Sequence, residues 1–320
     1  MPELIFMTYN IENMNRMFAD NQVKEQYRER AEKIAAVISA VNPHILGICE
    51  AANDPEEHAH FIEHYLPGSG YELACGSSRG VQNLVFYYRD PASPVAIDDG
   101  FSFYDPWQED IDGDGLKEYL TWERKPLEAV FKIGAAGQEL RCILVHAKSK
   151  GIFSVVDLHN FENISLGNRK KLIGQANRLR ARLDDLLKQP NSLPMVVMGD
   201  MNDGPGYDAY EMKLGKSFVE TVMGSVFEPG NIFHNTLWWM SQSSATKEDL
   251  WTVEFPDPIV ENALGYKHRV WIDHILVSPG LLKPESPLRL VEKSGRIAEK
   301  NKTARDASDH FAVYCTIESA

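Results

Sequence analysis

The sequence predicts a layered α/β fold formed by one domain over residues 1–320. Three observations carry this expectation. Apolar strand-like runs alternate with amphipathic helical patterns from end to end. Several runs are apolar at almost every position, as in strands buried on both faces. Neither an internal repeat nor a low-complexity linker divides the chain, which at 320 residues is long enough to bury a large core.

Strands are expected at 4–11, 44–50, 71–76, 83–89, 126–133, 139–147, 194–200, 271–278 and 311–317. Residues 26–41 read as a helix because Ala31, Ile34, Ile38 and Val41 recur at helical spacing, and Asn42-Pro43 ends it. Residues 168–188 form a second, with Leu172, Gln175, Leu179, Leu183 and Leu186-Leu187 along its inner side. Three long loops, 98–124, 150–167 and roughly 225–268, interrupt the pattern. Loops of this length in a compact domain are usually functional or disordered.

Composition narrows the function classes. With 43% hydrophobic and 25% charged residues the chain is ordinary globular protein. A net charge of −13 argues against broad, metal-free adhesion to nucleic acid or anionic lipid. It leaves room for a phosphate substrate held through a divalent cation. Cys49, Cys75, Cys142 and Cys315 sit inside apolar runs with no CxxC pair, so they read as small buried hydrophobes of a reducing compartment. No window is long and apolar enough to span a bilayer. The start, MPELIFMTYNI, lacks a basic region and a cleavage site, so a cytoplasmic location is expected unless a leader has been trimmed.

Polar groups gather at the strand ends. In FMTYNIEN, Asn10 and Glu12 are two apart and share a face of an extended strand. Glu50 closes ILGICEA, and CILVHAKSKG carries His146 and Lys148 on the side of Leu144 and Cys142. In VVMGDMND, Asp200 and Asn202 share a face, and Gly199 allows close approach. VWIDHILVS carries Asp273, and ASDHF carries Asp309 and His310. One acid at a strand end is usually a turn former or helix cap, and one such His is usually a satisfied core group. Five such segments are harder to read that way, because clefts in layered α/β folds open at strand ends. Carboxylate and amide oxygens suit a hard cation such as magnesium, and the lack of Cys-His clusters argues against structural zinc. In-line attack on a phosphodiester needs a cation, a positioned water and donors to the phosphate oxygens. A carboxylate-backed imidazole supplies a donor or a proton shuttle near neutral pH.

In this order, YNIEN, GICE, VHAKSK, GDMND, IDHILVS and SDH resemble the motifs of the endonuclease/exonuclease/phosphatase superfamily. That group includes pancreatic-type deoxyribonucleases, abasic-site endonucleases, neutral sphingomyelinases and inositol-polyphosphate phosphatases. The matches run from residue 8 to residue 313. The resemblance implies a four-layer sandwich, two packed mixed β-sheets with helices on both outer faces. It implies Glu50 as the main metal carboxylate, helped by Asn10 and Asp309, with Glu12 nearby as a further ligand, for Mg2+ or its substitute Mn2+. His310 would sit against the scissile phosphate, oriented by Asp273. Asp200 would position or deprotonate the attacking water, Asn202 would hold a phosphate oxygen, and His146 would contact the phosphate from the other side. No single residue is assigned as the base.

SSRGVQNLVFYYR, HAKSKG and NRKKLIGQANRLR are similar to the bacterial nuclease-like branch. Abasic-site endonucleases usually carry Tyr where His146 stands, which argues against abasic-site repair. Arg79 reads either as a phosphate contact or as a solvated turn residue. Lys148 and Lys150 could track a phosphate backbone. Asn168, Arg169, Lys170 and Lys171 could do the same or form the solvated face of a helix start. In DIDGDGLKE, Asp110, Asp112, Asp114 and Glu118 match part of a calcium loop, but the twelfth position is Thr121 rather than Glu. The segment reads as a structural Ca2+ site or as an Asp/Gly turn. Trp238, Trp239 and Trp251 either stack bases, meet a lipid interface, or pack their loop onto the body. The expected activity is metal-dependent hydrolysis of DNA or RNA, with a lipid or small-molecule phosphoester as the alternative substrate. A binding protein that keeps the fold without catalysis is the third reading.

Overall fold

The computed structural model describes residues 3–77, 82–98, 100–151, 160–256 and 267–319. Two mixed sheets face each other. The first has seven strands. Leu288–Leu290, Val313–Ser319, Glu3–Asn10, Ile45–Ala51, Asn83–Tyr88 and Glu72–Cys75 lie side by side in that order, and Arg296–Ile297 also pairs with Val313–Ser319. The second sheet has six strands, ordered His234–Asn235, Asp273–Val277, Met195–Asp200, Gln138–His146, Leu127–Ile133 and Ala92–Ile97. Glu3–Asn10 runs parallel to Ile45–Ala51 and antiparallel to Val313–Ser319. Likewise Gln138–His146 runs parallel to Met195–Asp200 and antiparallel to Leu127–Ile133.

Alternation along each strand sorts side chains into layers. Leu4, Phe6, Leu140, Cys142, Leu144, Val196 and Met198 fill the core between the sheets. Ile143, Val145 and Val197 point the other way, onto Leu172, Ala176, Leu179 and Leu183 of the helix Phe161–Leu187. On the opposite outer face, Met7, Tyr9, Leu46 and Ile48 pack against Ile34 and Ile38 of the helix Arg28–Val41 and Phe61 of the helix Pro55–Tyr65. The result is the four-layer sandwich. Truncating a fully buried inner side chain such as Leu144 to Ala is expected to cost about 2–5 kcal/mol.

All the expected strands form, each end within two residues of its predicted place. The edge strand Ala92–Ile97 was hidden by Pro94 and by its alternating exposed positions, features that suit a sheet edge. The long helix starts at Phe161 rather than 168, because residues 161–167 bury only Ser165 and no apolar stripe announces them. Two of the three long loops carry structure of their own, and residues 152–159 of the other lie outside the described residues. The first contains the hairpin Trp107–Glu109 with Glu118–Leu120, and the third contains the helix Trp238–Ser241 and the hairpin Val253–Pro256 with Lys267–Val270. Cys49, Cys142 and Cys315 are buried as expected, whereas Cys75 is only partly so. Among the described residues no helix is long and apolar enough to cross a membrane.

Candidate active site

Sheet register brings three distant segments into one row. His146 stands opposite Asp200 across the parallel pair, and Asp200 stands opposite Asp273 across the next. Each continues the inward face of its strand, the face of Leu144, Met198 and Ile275, so their side chains emerge where the space between the sheets opens. Asn10 ends Glu3–Asn10 on the inward face shared with Leu4 and Phe6. Gly199 permits the close pairing. It has φ 140°, and a Cβ there would lie 1.9 Å from the Val145 carbonyl oxygen. No other residue fits.

Glu50 reaches the same cleft by a different route. Strand alternation would turn it outward with Leu46 and Ile48. Pairing with Asn83–Tyr88 shifts register between Ile48 and Ala51, and Glu50 itself adopts φ 57°. This bulge re-aims the carboxylate inward, at the expense of a conformation that non-glycine residues rarely take. Asn202 is similar, with φ 50°, and its backbone N–H donates to Asp200 Oδ1 at 2.8 Å. The two strand-end pairs therefore do not share faces in the expected way. Glu3–Asn10 stops at Asn10, leaving Glu12 exposed in the following turn, and Met195–Asp200 stops before Asn202.

The polar cluster is tight. Asp273 Oδ2 accepts a hydrogen bond from His310 Nδ1 at 2.8 Å. Asp200 Oδ2 accepts from Asn10 Nδ2 at 2.9 Å and lies 3.5 Å from His146 Nε2 and 3.9 Å from His310 Nε2. His310 Nε2 is also 3.9 Å from Asp309 Oδ1. Ser308 locks this corner, donating to the Asn10 carbonyl at 2.7 Å and accepting from His310 N–H. Burial works against a charged His310 ring, but Asp273, then Asp200 and Asp309, outweigh it and raise its pKa to about 10. Burial pushes the Asp200 carboxyl up to about 7, against the pull of His310. His146 is driven well below the ordinary value, first by burial and then by the charges of Arg124, His310 and Lys148.

A hard cation fits these donors. Asn10 Oδ1 is buried with no hydrogen-bond partner among the described residues. Among the described residues Glu50 Oε1 has as its near donor only Asn10 Nδ2, at 3.4 Å. Asp309, with a side chain 41% exposed, also lines the cleft. Oxygen donors of this kind match magnesium or manganese better than zinc.

Other expected residues fall in different places. Glu12 and Lys148 line the cleft, Glu12 beside Arg30 and Lys148 beside Glu123. Arg79 lies outside the described residues. Lys150 is not free to track a backbone, because it is paired with Asp203 and Glu211. Arg169 pairs with Asp208, and Asn168 donates to the Gly151 carbonyl. Asp110, Asp112 and Asp114 do converge, but Lys170 binds Asp112 at 2.6 Å and Glu118 at 2.5 Å. Of the three tryptophans, Trp251 is buried and Trp239 donates to the Gly295 carbonyl, leaving Trp238 exposed on the cleft wall. Gln82 and Arg124, which line the cleft beside Glu50, were missed, since nothing local in VQNL or WERK marks them.

The sequence profile of the Endonuclease/Exonuclease/phosphatase family matches residues 7–310. Comparison with curated proteins gives no match. Among solved structures, TDP2 of D. rerio in complex with a single strand DNA product is 15% identical, with a TM-score of 0.57 over 99% of each chain. The endonuclease/exonuclease/phosphatase from Bacteroides vulgatus is 14% identical, with a TM-score of 0.57 over 100% of each. A mannosyl-6-phosphatase of Bacteroides thetaiotaomicron is 15% identical, with a TM-score of 0.54 over 98% of this chain and 99% of that one. At such identities the likeness is one of fold. The family match spans nearly the whole chain and takes in the strand-end row, and the protein belongs to the endonuclease/exonuclease/phosphatase family of phosphoester hydrolases.

Proposed function

We propose that the chain is a divalent-metal-dependent phosphodiesterase acting on nucleic acid by in-line attack of water. The observation that carries the reading is the row His146, Asp200, Asp273, met at one cleft by Asn10, Glu50 and His310. Glu50, Asn10 and Asp309 would hold the cation, with Glu12 beside them. The cation supplies neutralisation of charge developing on the phosphate.

The remaining work falls to this chain's own side chains. Asp273 takes the Nδ1–H of His310 and so leaves Nε2–H as the donor for a phosphate oxygen. With a pKa of about 10 the ring carries its proton at neutral pH. Asp200, with a pKa of about 7, is suited to hold a water and accept its proton, and the Asn202 N–H restrains its second oxygen. His146, kept neutral, flanks the same carboxylate. Asn202 spends one amide hydrogen on the Ala147 carbonyl, and the other is available to the phosphate.

Nucleic acid as substrate draws support from the cleft. At about 1470 Å³ it is larger than ordinary small-molecule pockets. Trp238 and Phe255 are exposed on its wall, where bases could stack. A small phosphoester is the second reading. Glu12, Glu123, Asp208 and Asp309 make an acidic lining that repels a long polyanion.

The test is incubation with Mg2+ of a single-stranded oligonucleotide and supercoiled plasmid in one set, and hexose phosphates in another. Cleavage of the nucleic acid is the expected result. Phosphate release from the sugar with the nucleic acid intact would transfer the site to the second reading.

A further inference from the structure

Glu50 is held from behind by hydrogen bonds that the cleft chemistry does not explain. We infer that Gln82 and Arg124 are positioning residues that fix which oxygen of Glu50 faces the cation, and thereby set the affinity for it. The inference rests on the proposed role of Glu50 as a metal ligand.

The two oxygens of Glu50 have unlike surroundings. Oε2 accepts from the Asn13 backbone N–H at 2.8 Å and from Gln82 Nε2 at 2.5 Å. Among the described residues Oε1 has only the long contact of 3.4 Å with Asn10 Nδ2. One oxygen is thus saturated and the other is left for a ligand. The arrangement depends on which way the Gln82 amide points. Turned over, it would set its own oxygen against the carboxylate, lone pair against lone pair. Arg124 forbids that orientation, because its Nη1 donates to Gln82 Oε1 at 2.7 Å and a guanidinium carries donors only.

The relay spans three separate segments. Glu50 sits in the bulge of Ile45–Ala51, Gln82 just precedes Asn83–Tyr88, and Arg124 precedes Leu127–Ile133. Glu50 has left-handed backbone, and so does Asn13 with φ 53°. Neither conformation is favourable by itself, so the side-chain contacts help to keep the carboxylate aimed. Groups behind a metal ligand commonly change metal affinity by about 10–100-fold when removed. Arg124 also lines the cleft and could touch substrate directly. That role would change KM without changing metal affinity, so the two can be told apart.

The experiment is Mn2+ binding to the full chain without substrate, read from the electron paramagnetic resonance of free Mn2+. Gln82→Leu is expected to weaken binding about tenfold or more, and Arg124→Met about fivefold. The double variant should be no weaker than Gln82→Leu within about twofold, since both act through one amide. Glu50→Gln is the reference and should lose most of the binding. Wild-type affinity in Gln82→Leu and Arg124→Met, with binding lost in Glu50→Gln, would overturn the relay and leave the metal site standing. Wild-type affinity in Glu50→Gln would overturn the metal reading and the relay together. Multiplying losses in the double variant would also refute a shared route. Should Gln82→Leu not fold, Arg124→Met at its partly exposed position decides alone.

Discussion

Two acidic clusters in this chain use the same residue types and meet opposite fates. In the loop, Asp110, Asp112 and Asp114 lie within nine residues of Glu118, and their carboxylate oxygens come within 4.8 Å of one another. Asp110 accepts from the Gly113 and Gly115 N–H groups, Asp114 from Leu116 N–H, and Lys170 bridges Asp112 and Glu118. In the cleft, Glu50, Asp200, Asp273 and Asp309 come from four separate segments. There Asn10 Oδ1, Asp273 Oδ1 and His146 Nδ1 are buried without hydrogen-bond partners among the described residues. The loop's own N–H groups and one lysine of the neighbouring helix occupy its acids. The groups fixed at the ends of the two packed sheets satisfy only part of one another's polar atoms, and those left over stay available to a ligand.

The largest way to break this comparison is to remove the imidazole. His310→Ala is expected to lower phosphodiester hydrolysis by on the order of 10³-fold with the fold retained, measured as initial rates beside a near-ultraviolet spectrum. Asp273→Asn keeps the ring but loses its counter-charge, and about a 10²-fold loss is expected. Retained activity in either variant would take His310 out of the chemistry. Gly199→Ala acts on the scaffold. The clash with Val145 should destabilise by about 3 kcal/mol or more in urea unfolding.

A subtler test uses pH. His310 has a folded-state pKa of about 10 against an ordinary 6.5, so the folded chain keeps a proton that the unfolded chain releases. The stabilisation is complete below about pH 6.5, declines as pH rises, and is gone above about pH 10. The urea midpoint of wild type should therefore fall relative to His310→Gln between pH 7 and pH 10. Parallel midpoints would contradict the assignment. The smallest effect is expected in the loop, where Asp112→Asn with Asp114→Asn should leave hydrolysis within about twofold, because exposed pairs contribute little.

Much of this was legible in the sequence. The doubly buried runs around Leu46 and Phe86 announced the first sheet and those around Leu144 and Val197 the second, and Asn10, His146, Asp200 and Asp273 stood at strand ends where alternation alone points them inward. Other parts were not legible, for physical reasons. Glu50 needs a bulge to face the cleft, and period-two alternation would have turned it away. Gln82 and Arg124 act through contacts across 32 and 42 positions, which no local pattern records. The contact of Lys170, from a helix far along the chain, with Asp112 and Glu118 is equally absent from the local pattern of DIDGDG.

The most direct measurement is Mg2+ titration of bis(p-nitrophenyl) phosphate hydrolysis by wild type, Glu50→Gln and the Asp112→Asn/Asp114→Asn pair. The strand-end site predicts metal-dependent turnover in wild type and in the loop variant at matching Mg2+ midpoints, with the Glu50→Gln midpoint at least about tenfold higher. A wild-type midpoint in Glu50→Gln, or turnover abolished by the loop substitutions, would contradict it.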